Sequence, residues 1–163
     1  MPTPIPKAHP ALSNGTVLAG QWKIDGELSH TRASLVYRAK HVRTGIRTAI
    51  KVMAPPGGVL QPEAVARFER EAMMTARLTS PNVLRVSDFG RTDAGFPYLV
   101  MELLDGMTLR EVLDERRADG EPGLPPAGTL AIADGLLRAL TEAHDLGMVH
   151  RGVKPDNVFL SGL

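Results

Sequence analysis

The sequence predicts an α+β domain in which a five-stranded antiparallel sheet with one helix precedes further helices. Three observations predict it. Strand-like runs recur between residues 21 and 101, one helical segment follows the third run, and two helical segments follow the last. Runs of strands succeeded by runs of helices are typical of the α+β class.

Five segments combine β-branched or aromatic residues with the alternation of a strand. They are residues 21–27, 34–41, 47–53, 83–89 and 96–101. The turn sequences Thr44-Gly45 and Thr92-Asp93-Ala94-Gly95 separate neighbouring segments. Connections this short join antiparallel strands, so the sequence predicts an antiparallel meander for the first three segments and a turn between the last two.

The first predicted helix begins at Pro62, a residue favoured at the first helical position, and runs to about residue 78. One apolar face is formed by Val65, Phe68, Ala72, Thr75 and Leu78. Glu71 lies at the border of that face, where we expect its carboxylate to find a cation.

Two more helices are predicted towards the carboxyl end. Thr108 caps a short one that ends near Arg117, and a loop rich in Gly and Pro, residues 120–128, leads to a longer one over residues 129–146. The longer helix ends at Gly147. Its apolar stripe consists of Leu130, Ala133, Leu136, Leu137, Leu140 and Ala143.

Composition excludes several classes of protein. Hydrophobic residues make up 43% and charged residues 23% of the 163 residues, which is typical of a soluble globular protein. The net charge of +1 argues against a nucleic-acid surface, and the absence of Cys excludes disulfides and fits a reducing compartment. No apolar run is long enough to span a membrane. We therefore expect a cytoplasmic protein, with a disordered Pro-rich leader over residues 1–20.

The segment His150-Arg151-Gly152-Val153-Lys154-Pro155-Asp156-Asn157 carries the most specific chemistry. With the apolar strand after it, the segment resembles the catalytic loop of bacterial, Hanks-type Ser/Thr protein kinases, His-Arg-Asp-x-Lys-Pro-x-Asn. In that family the Asp takes the substrate's proton, the Lys steadies the transferred phosphoryl group and the Asn holds Mg²⁺. The resemblance implies the last two roles for Lys154 and Asn157, whereas Gly152 replaces the base. We do not expect Asp156 to substitute for it.

Two further segments resemble the ATP site of the same family. Thr48-Ala49-Ile50-Lys51 is similar to the third-strand motif, whose Lys holds the α and β phosphates and pairs with a Glu in the place of Glu71. Residues 96–106 are similar to the fifth strand and hinge. The adenine contacts that the resemblance implies are Val36, Ala49, Met101, Phe159 and the backbone from Glu102 to Leu104. Taken singly, each of these residues is equally well explained as a core residue or a solvated charge. Their occurrence together, in the order that the family has, favours an ATP site.

Two motifs depart from the family. Its phosphate loop, Gly-x-Gly-x-x-Gly, is replaced by Ser29, Thr31 and Ser34, whose hydroxyls could still donate to a phosphate although Thr31 suits a tight turn poorly. Asp88-Phe89-Gly90 spells the family's metal-binding triad but precedes the catalytic loop, so its order favours an ordinary strand that ends in a turn.

We therefore expect a partial, degenerate protein kinase domain. Residues 21–101 correspond to the amino-terminal lobe, 102–107 to the hinge and 108–163 to the start of the helical lobe, and the sequence stops before the triad's usual place. The resemblance implies ATP and Mg²⁺ as ligands and Ser/Thr phosphorylation as the reaction, with the chain inactive alone. The alternatives are a pseudokinase that binds a protein partner through the 129–146 helix, a weak kinase completed by a second polypeptide, and a non-functional fragment of a split gene.

Overall fold

The computed structural model describes residues 11–162. They form two compact units, one made of the residues up to Arg77 with Leu84–Leu103, the other of Leu78–Val83 with the residues from Leu104 onward. The division after Leu103 lies within the predicted hinge, but the sequence did not indicate that residues 78–83 belong to the second unit. Among residues 11–162, no helix has both the length and the apolar composition needed to cross a bilayer.

The first unit is an antiparallel six-stranded sheet with one helix. Its strands are β1 (Val17–Leu18), β2 (Trp22–His30), β3 (Ser34–His41), β4 (Arg47–Met53), β5 (Val86–Arg91) and β6 (Pro97–Glu102). They lie in the order β1-β2-β3-β4-β6-β5, and each neighbouring pair is antiparallel. The predicted α+β class is confirmed, and strands β3 and β4 have the predicted bounds.

The edge strand β1 corrects the predicted leader. Leu18 pairs with Trp22 and is only 5% exposed, and the backbone N–H of Leu12 donates to the Tyr37 hydroxyl at 2.9 Å. Ordered structure therefore begins well before Gly20, because residues 17–18 find a strand partner and Leu18 a place in the core. Residues 1–10, which hold the leader's prolines, lie outside the described residues.

One face of the sheet forms the core. Tyr37 on β3 pairs with Ile50 on β4, which in turn pairs with Val100 on β6, and each of the three is at most 2% exposed. Since side chains alternate between the faces of a strand, the residues next to them in sequence point to the opposite face. That opposite face carries the residues predicted to contact a nucleotide.

Helix α1 (Pro62–Thr75) has the predicted start and ends slightly early. Val65 and Ala72 are buried and Phe68 and Thr75 partly buried, which confirms the predicted face for these residues. Ala76 caps the helix, and the chain then leaves the first unit at Leu78.

The second unit contains α2 (Leu109–Ala118), α3 (Pro126–Asp145) and a pair of short antiparallel strands, β7 (Gly106–Thr108) and β8 (Phe159–Ser161). Thr108 caps α2 in a reciprocal capping box with Glu111, as predicted for the cap. Helix α3 begins at Pro126 rather than Thr129, because proline suits a first helical turn and needs no N–H partner there.

Glu142 on α3 holds the 78–83 segment. Its carboxylate accepts hydrogen bonds from the backbone N–H and hydroxyl of Thr79, both at 2.7 Å, and from the N–H of Ser80 at 2.8 Å. These hydrogen bonds, the backbone N–H of Thr79 above all, lower the pKa of Glu142 from its ordinary value of 4.5. Glu142 therefore stabilises the fold in its charged form.

We expect Glu142→Gln to lower the melting temperature at pH 7 and to flatten its acid dependence. Because the folded pKa lies below the unfolded one, the charged form's stabilisation is complete above about pH 4.5 and is lost as pH falls through the folded pKa. The difference in melting temperature between wild type and variant should therefore shrink below pH 4.5. Glu115→Gln is the control, since Glu115 is an exposed residue of α2; an equal, pH-independent loss in both variants would contradict the expectation.

Candidate functional site

The face of the first unit's sheet opposite Tyr37, Ile50 and Val100 carries four predicted nucleotide contacts. Val36 on β3 pairs with Lys51 on β4, and Ala49 on β4 pairs with Met101 on β6. All four alternate in sequence with core residues such as Tyr37, Ile50 and Val100, so their side chains share the other face. Val36, Lys51 and Met101 are half-buried. An ammonium group beside a patch of apolar side chains suits a ligand with a ring and a negative charge.

The predicted pair between Lys51 and Glu71 is not formed. Glu71 is exposed, and within residues 11–162 neither side chain takes part in an ion pair. Glu69 pairs with Arg91 of β5 at 2.6 Å instead. Two residues advance a helix by about 200°, so a helix that turns Glu69 towards β5 turns Glu71 away. The sequence identified the helix but not which carboxylate finds a cation.

Glu102 has a structural role that the sequence did not indicate. Its carboxylate accepts a hydrogen bond from the Arg85 N–H at 2.7 Å, and its own N–H donates to the Arg85 carbonyl at 3.0 Å. The side chain thus holds the end of β6 to the chain entering β5. Leu104, the other end of the predicted adenine contact, is half-buried in the second unit.

The altered phosphate loop is a tight hairpin. Strand β2 continues to His30, beyond its predicted end at Glu27, and its pairing with β3 resumes after two shifts of register. Only residues 31–33 remain between the strands. Ser29 is exposed, Ser34 is buried at the start of β3, and Thr31 bonds within the tip.

Gly152 lies in a local network in the second unit. Its N–H donates to His150 Nδ1 at 3.1 Å, and its carbonyl accepts from Asn157 Nδ2 at 2.8 Å. A Cβ added at Gly152 would lie 3.5 Å from Asn157 Nδ2 and 3.6 Å from the nearest His150 ring atoms, which is ordinary contact. The backbone at this position therefore accepts a side chain, and glycine is not required for the shape of the loop.

The other charged residues of this loop are exposed, and one of them forms an ion pair. Asp156 faces Arg110 of α2, with 3.8 Å between Oδ2 and Nε. Lys154 and Arg151 are exposed, and Arg151 adopts a left-handed backbone with φ of 57°. The sequence did not indicate this ion pair, because no local pattern links Arg110 and Asp156.

Asn157 has the chemistry of a Mg²⁺ ligand. Its Nδ2 donates to Gly152, and no hydrogen bond to Oδ1 occurs within residues 11–162, so this hard oxygen is available to a cation. Among the described residues there is no cluster of three or more His, Cys, Asp or Glu side chains that could hold a metal. Mg²⁺ would therefore need phosphate oxygens and water as its remaining ligands.

Phe159, the predicted adenine contact that follows this loop, lies on β8. It is 37% exposed and pairs with Thr108 of β7.

Asp88-Phe89-Gly90 lies in strand β5, as predicted for its first two residues, but the strand runs from Val86 to Arg91 instead of from 83 to 89. Asp88 Oδ1 accepts from the N–H of Phe89 at 2.8 Å. Gly90 lies opposite Tyr98, and a Cβ there would be 2.7 Å from the Tyr98 hydroxyl oxygen. The sheet therefore requires glycine at this position, because the Tyr98 side chain lies across it and leaves no room for a Cβ.

The family model of the protein kinase domain matches residues 23–162. This chain belongs to the protein kinase family. It is 37% identical over 147 residues to a probable serine/threonine-protein kinase of Streptomyces coelicolor, covering 88% of this chain and 21% of that protein. It is 37% identical over 146 residues to the serine/threonine-protein kinase PknL of Mycobacterium bovis, covering 89% of this chain and 35% of PknL.

A solved structure agrees with this assignment. The PknI kinase domain of Mycobacterium tuberculosis superposes with a TM-score of 0.79 at 32% identity, over 94% of this chain and 59% of that one. The likeness confirms the predicted kinase-like fold, an amino-terminal lobe with a few helices of the helical lobe. The chain spans between about a fifth and about a third of the two curated relatives described above.

Proposed function

We propose that this chain binds ATP as part of a Ser/Thr protein kinase domain and that its phosphoryl transfer to protein hydroxyls is strongly impaired. Gly152 carries the proposal. It stands where the kinase pattern has the Asp that accepts the substrate's proton, and the nearest carboxylate along the loop, Asp156, is paired with Arg110. Removing a positioned base costs about 10²–10⁴ in rate.

The residues of the kinase pattern that this chain retains support nucleotide binding. Lys51 lies beside Val36 and on the same sheet face as Ala49 and Met101, where an ammonium group can meet phosphate oxygens while the apolar residues meet a base. ATP with Mg²⁺, when bound, supplies the γ-phosphoryl group and neutralises its charge. Asn157 Oδ1 is the protein oxygen that we assign to the metal. We place the protein in the cytoplasm, where ATP is available. The chain has no Cys, so its fold does not depend on disulfides, which a reducing compartment would not maintain.

We expect ATP with Mg²⁺ to raise the melting temperature of the chain and Lys51→Ala to abolish the rise. A ligand that binds only the folded state stabilises it by about 2.7 kcal/mol at a hundred times its Kd. Lys23→Ala is the matched control, because Lys23 is an exposed strand lysine on β2. A rise that persists in Lys51→Ala, or that Lys23→Ala also removes, would overturn the assignment of Lys51.

Helix α3 favours a second candidate, a pseudokinase that binds a protein partner. Leu130 and Leu137 are 70% and 64% exposed and lie two helical turns apart, so they share one side of the helix. Apolar side chains grouped in this way are typical of a contact surface. Affinity capture from cells with wild type and with a Leu130→Ser/Leu137→Ser variant would test it, and identical sets of captured proteins would argue against this surface.

A further inference from the structure

The tip of the β2–β3 hairpin is closed by one side chain. Thr31 Oγ1 accepts hydrogen bonds from the backbone N–H groups of Ser34 at 3.1 Å and Ala33 at 3.3 Å. The hydroxyl thus sits where two adjacent backbone donors converge. Such converging N–H groups are the usual means by which a loop holds an anion.

The hydroxyl's own proton is also used locally. Thr31 Oγ1 lies 2.9 Å from the Ser34 hydroxyl and 3.4 Å from the Ser34 carbonyl oxygen, so it has acceptors within the tip. The N–H of Thr31 donates to the Ser34 carbonyl at 2.8 Å, and the N–H of Ala54 donates to the Ala33 carbonyl at 2.7 Å. Ser34 is only 6% exposed. The backbone N–H groups of Thr31, Ala33 and Ser34 therefore have hydrogen-bond partners within the tip itself.

We infer that Thr31 acts as a built-in substitute for an anion oxygen and thereby lowers the affinity of this hairpin for the phosphates of a bound nucleotide. A phosphate oxygen would have to displace the Thr31 hydroxyl before it could accept from Ala33 or Ser34. The sequence suggested that the hydroxyls could donate to a phosphate, whereas the structure commits Thr31 and Ser34 to each other. This inference rests on the proposed function for its ligand, but the closed tip can be measured without one.

Amide hydrogen exchange tests the closed tip in the absence of nucleotide. Thr31→Ala removes the acceptor and Thr31→Ser keeps it, so the amides of Ala33 and Ser34 should exchange about fivefold faster or more in the first variant and at the wild-type rate in the second. The amide of Gly45, which bonds to the His41 carbonyl at 2.9 Å in a different turn, reports that the sheet is intact. Unchanged exchange at Ala33 and Ser34 in Thr31→Ala, with Gly45 protected, would overturn the inference.

Titration with ATP and Mg²⁺ tests the consequence. Thr31→Ala should bind about fivefold to tenfold more tightly than wild type, and Thr31→Ser should bind as wild type does. If wild type binds nucleotide and Thr31→Ala binds it no better, Thr31 does not limit affinity and the inference is wrong. If neither protein binds, the proposed function fails, and the exchange rates still decide whether Thr31 closes the tip.

Discussion

Gly152→Asp is expected to raise the rate of phosphoryl transfer from ATP to a protein substrate by about 10²–10⁴-fold, the usual contribution of a positioned general base. The local structure favours this gain. A Cβ at residue 152 meets nothing nearer than 3.5 Å, and φ at Gly152 is not in the left-handed region. The new carboxylate would extend from a loop that Asn157 and His150 already hold in place. Transfer of labelled phosphate to casein measures the rate.

Gly152→Asn is the matched control, because asparagine has nearly the size of aspartate but does not accept a proton at neutral pH. It should melt like Gly152→Asp and show the wild-type rate. A wild-type rate as high as that of Gly152→Asp would contradict the proposed impairment. A Gly152→Asp protein that binds nucleotide and gains no rate would show that another departure, such as the closed hairpin at Thr31, limits transfer.

The strands that the sequence predicted best are those whose pattern is local. Strands β3 and β4 have the predicted ends because both are rich in β-branched, aliphatic and aromatic residues and the Thr44-Gly45 turn separates them. Strands β1 and β7 were missed, since elements of two or three residues carry no period of their own. They exist because Trp22 and Phe159 lie opposite Leu18 and Thr108 in the folded chain.

In the candidate site, too, the features with a local sequence pattern were predicted and those that join distant residues were not. Lys51 and Asn157 were predicted from motifs in which neighbouring residues have fixed spacing, and Val36, Ala49 and Met101 from the same family resemblance; their roles stay predictions. Which carboxylate meets which cation was not predictable. The pair of Glu69 with Arg91, and that of Arg110 with Asp156, join segments far apart in sequence, and their choice depends on how a helix is rotated against its neighbours.

Gly106→Ala is expected to destabilise the chain by about 3 kcal/mol or more, the largest loss of stability among the substitutions considered. A Cβ at residue 106 would lie 2.0 Å from the carbonyl oxygen of Leu160, and φ is 141°, where L-residues are strained. The oxygen belongs to the backbone of β8, so the two strands must separate to make room. Urea unfolding monitored by circular dichroism measures the loss.

Gly120→Ala separates the two causes of this loss. Gly120 also has a positive φ, 77°, but a Cβ there meets nothing within 4 Å, so its substitution costs only backbone strain of about 1 kcal/mol. Equal losses in the two variants would show that β7 and β8 yield to the new methyl group without cost. A much larger loss at Gly106 would show that the close approach of the Leu160 carbonyl oxygen, and not backbone strain alone, requires glycine at this position. Strand β8 of the pair that depends on this glycine directly follows the segment of Gly152, since it begins two residues after Asn157.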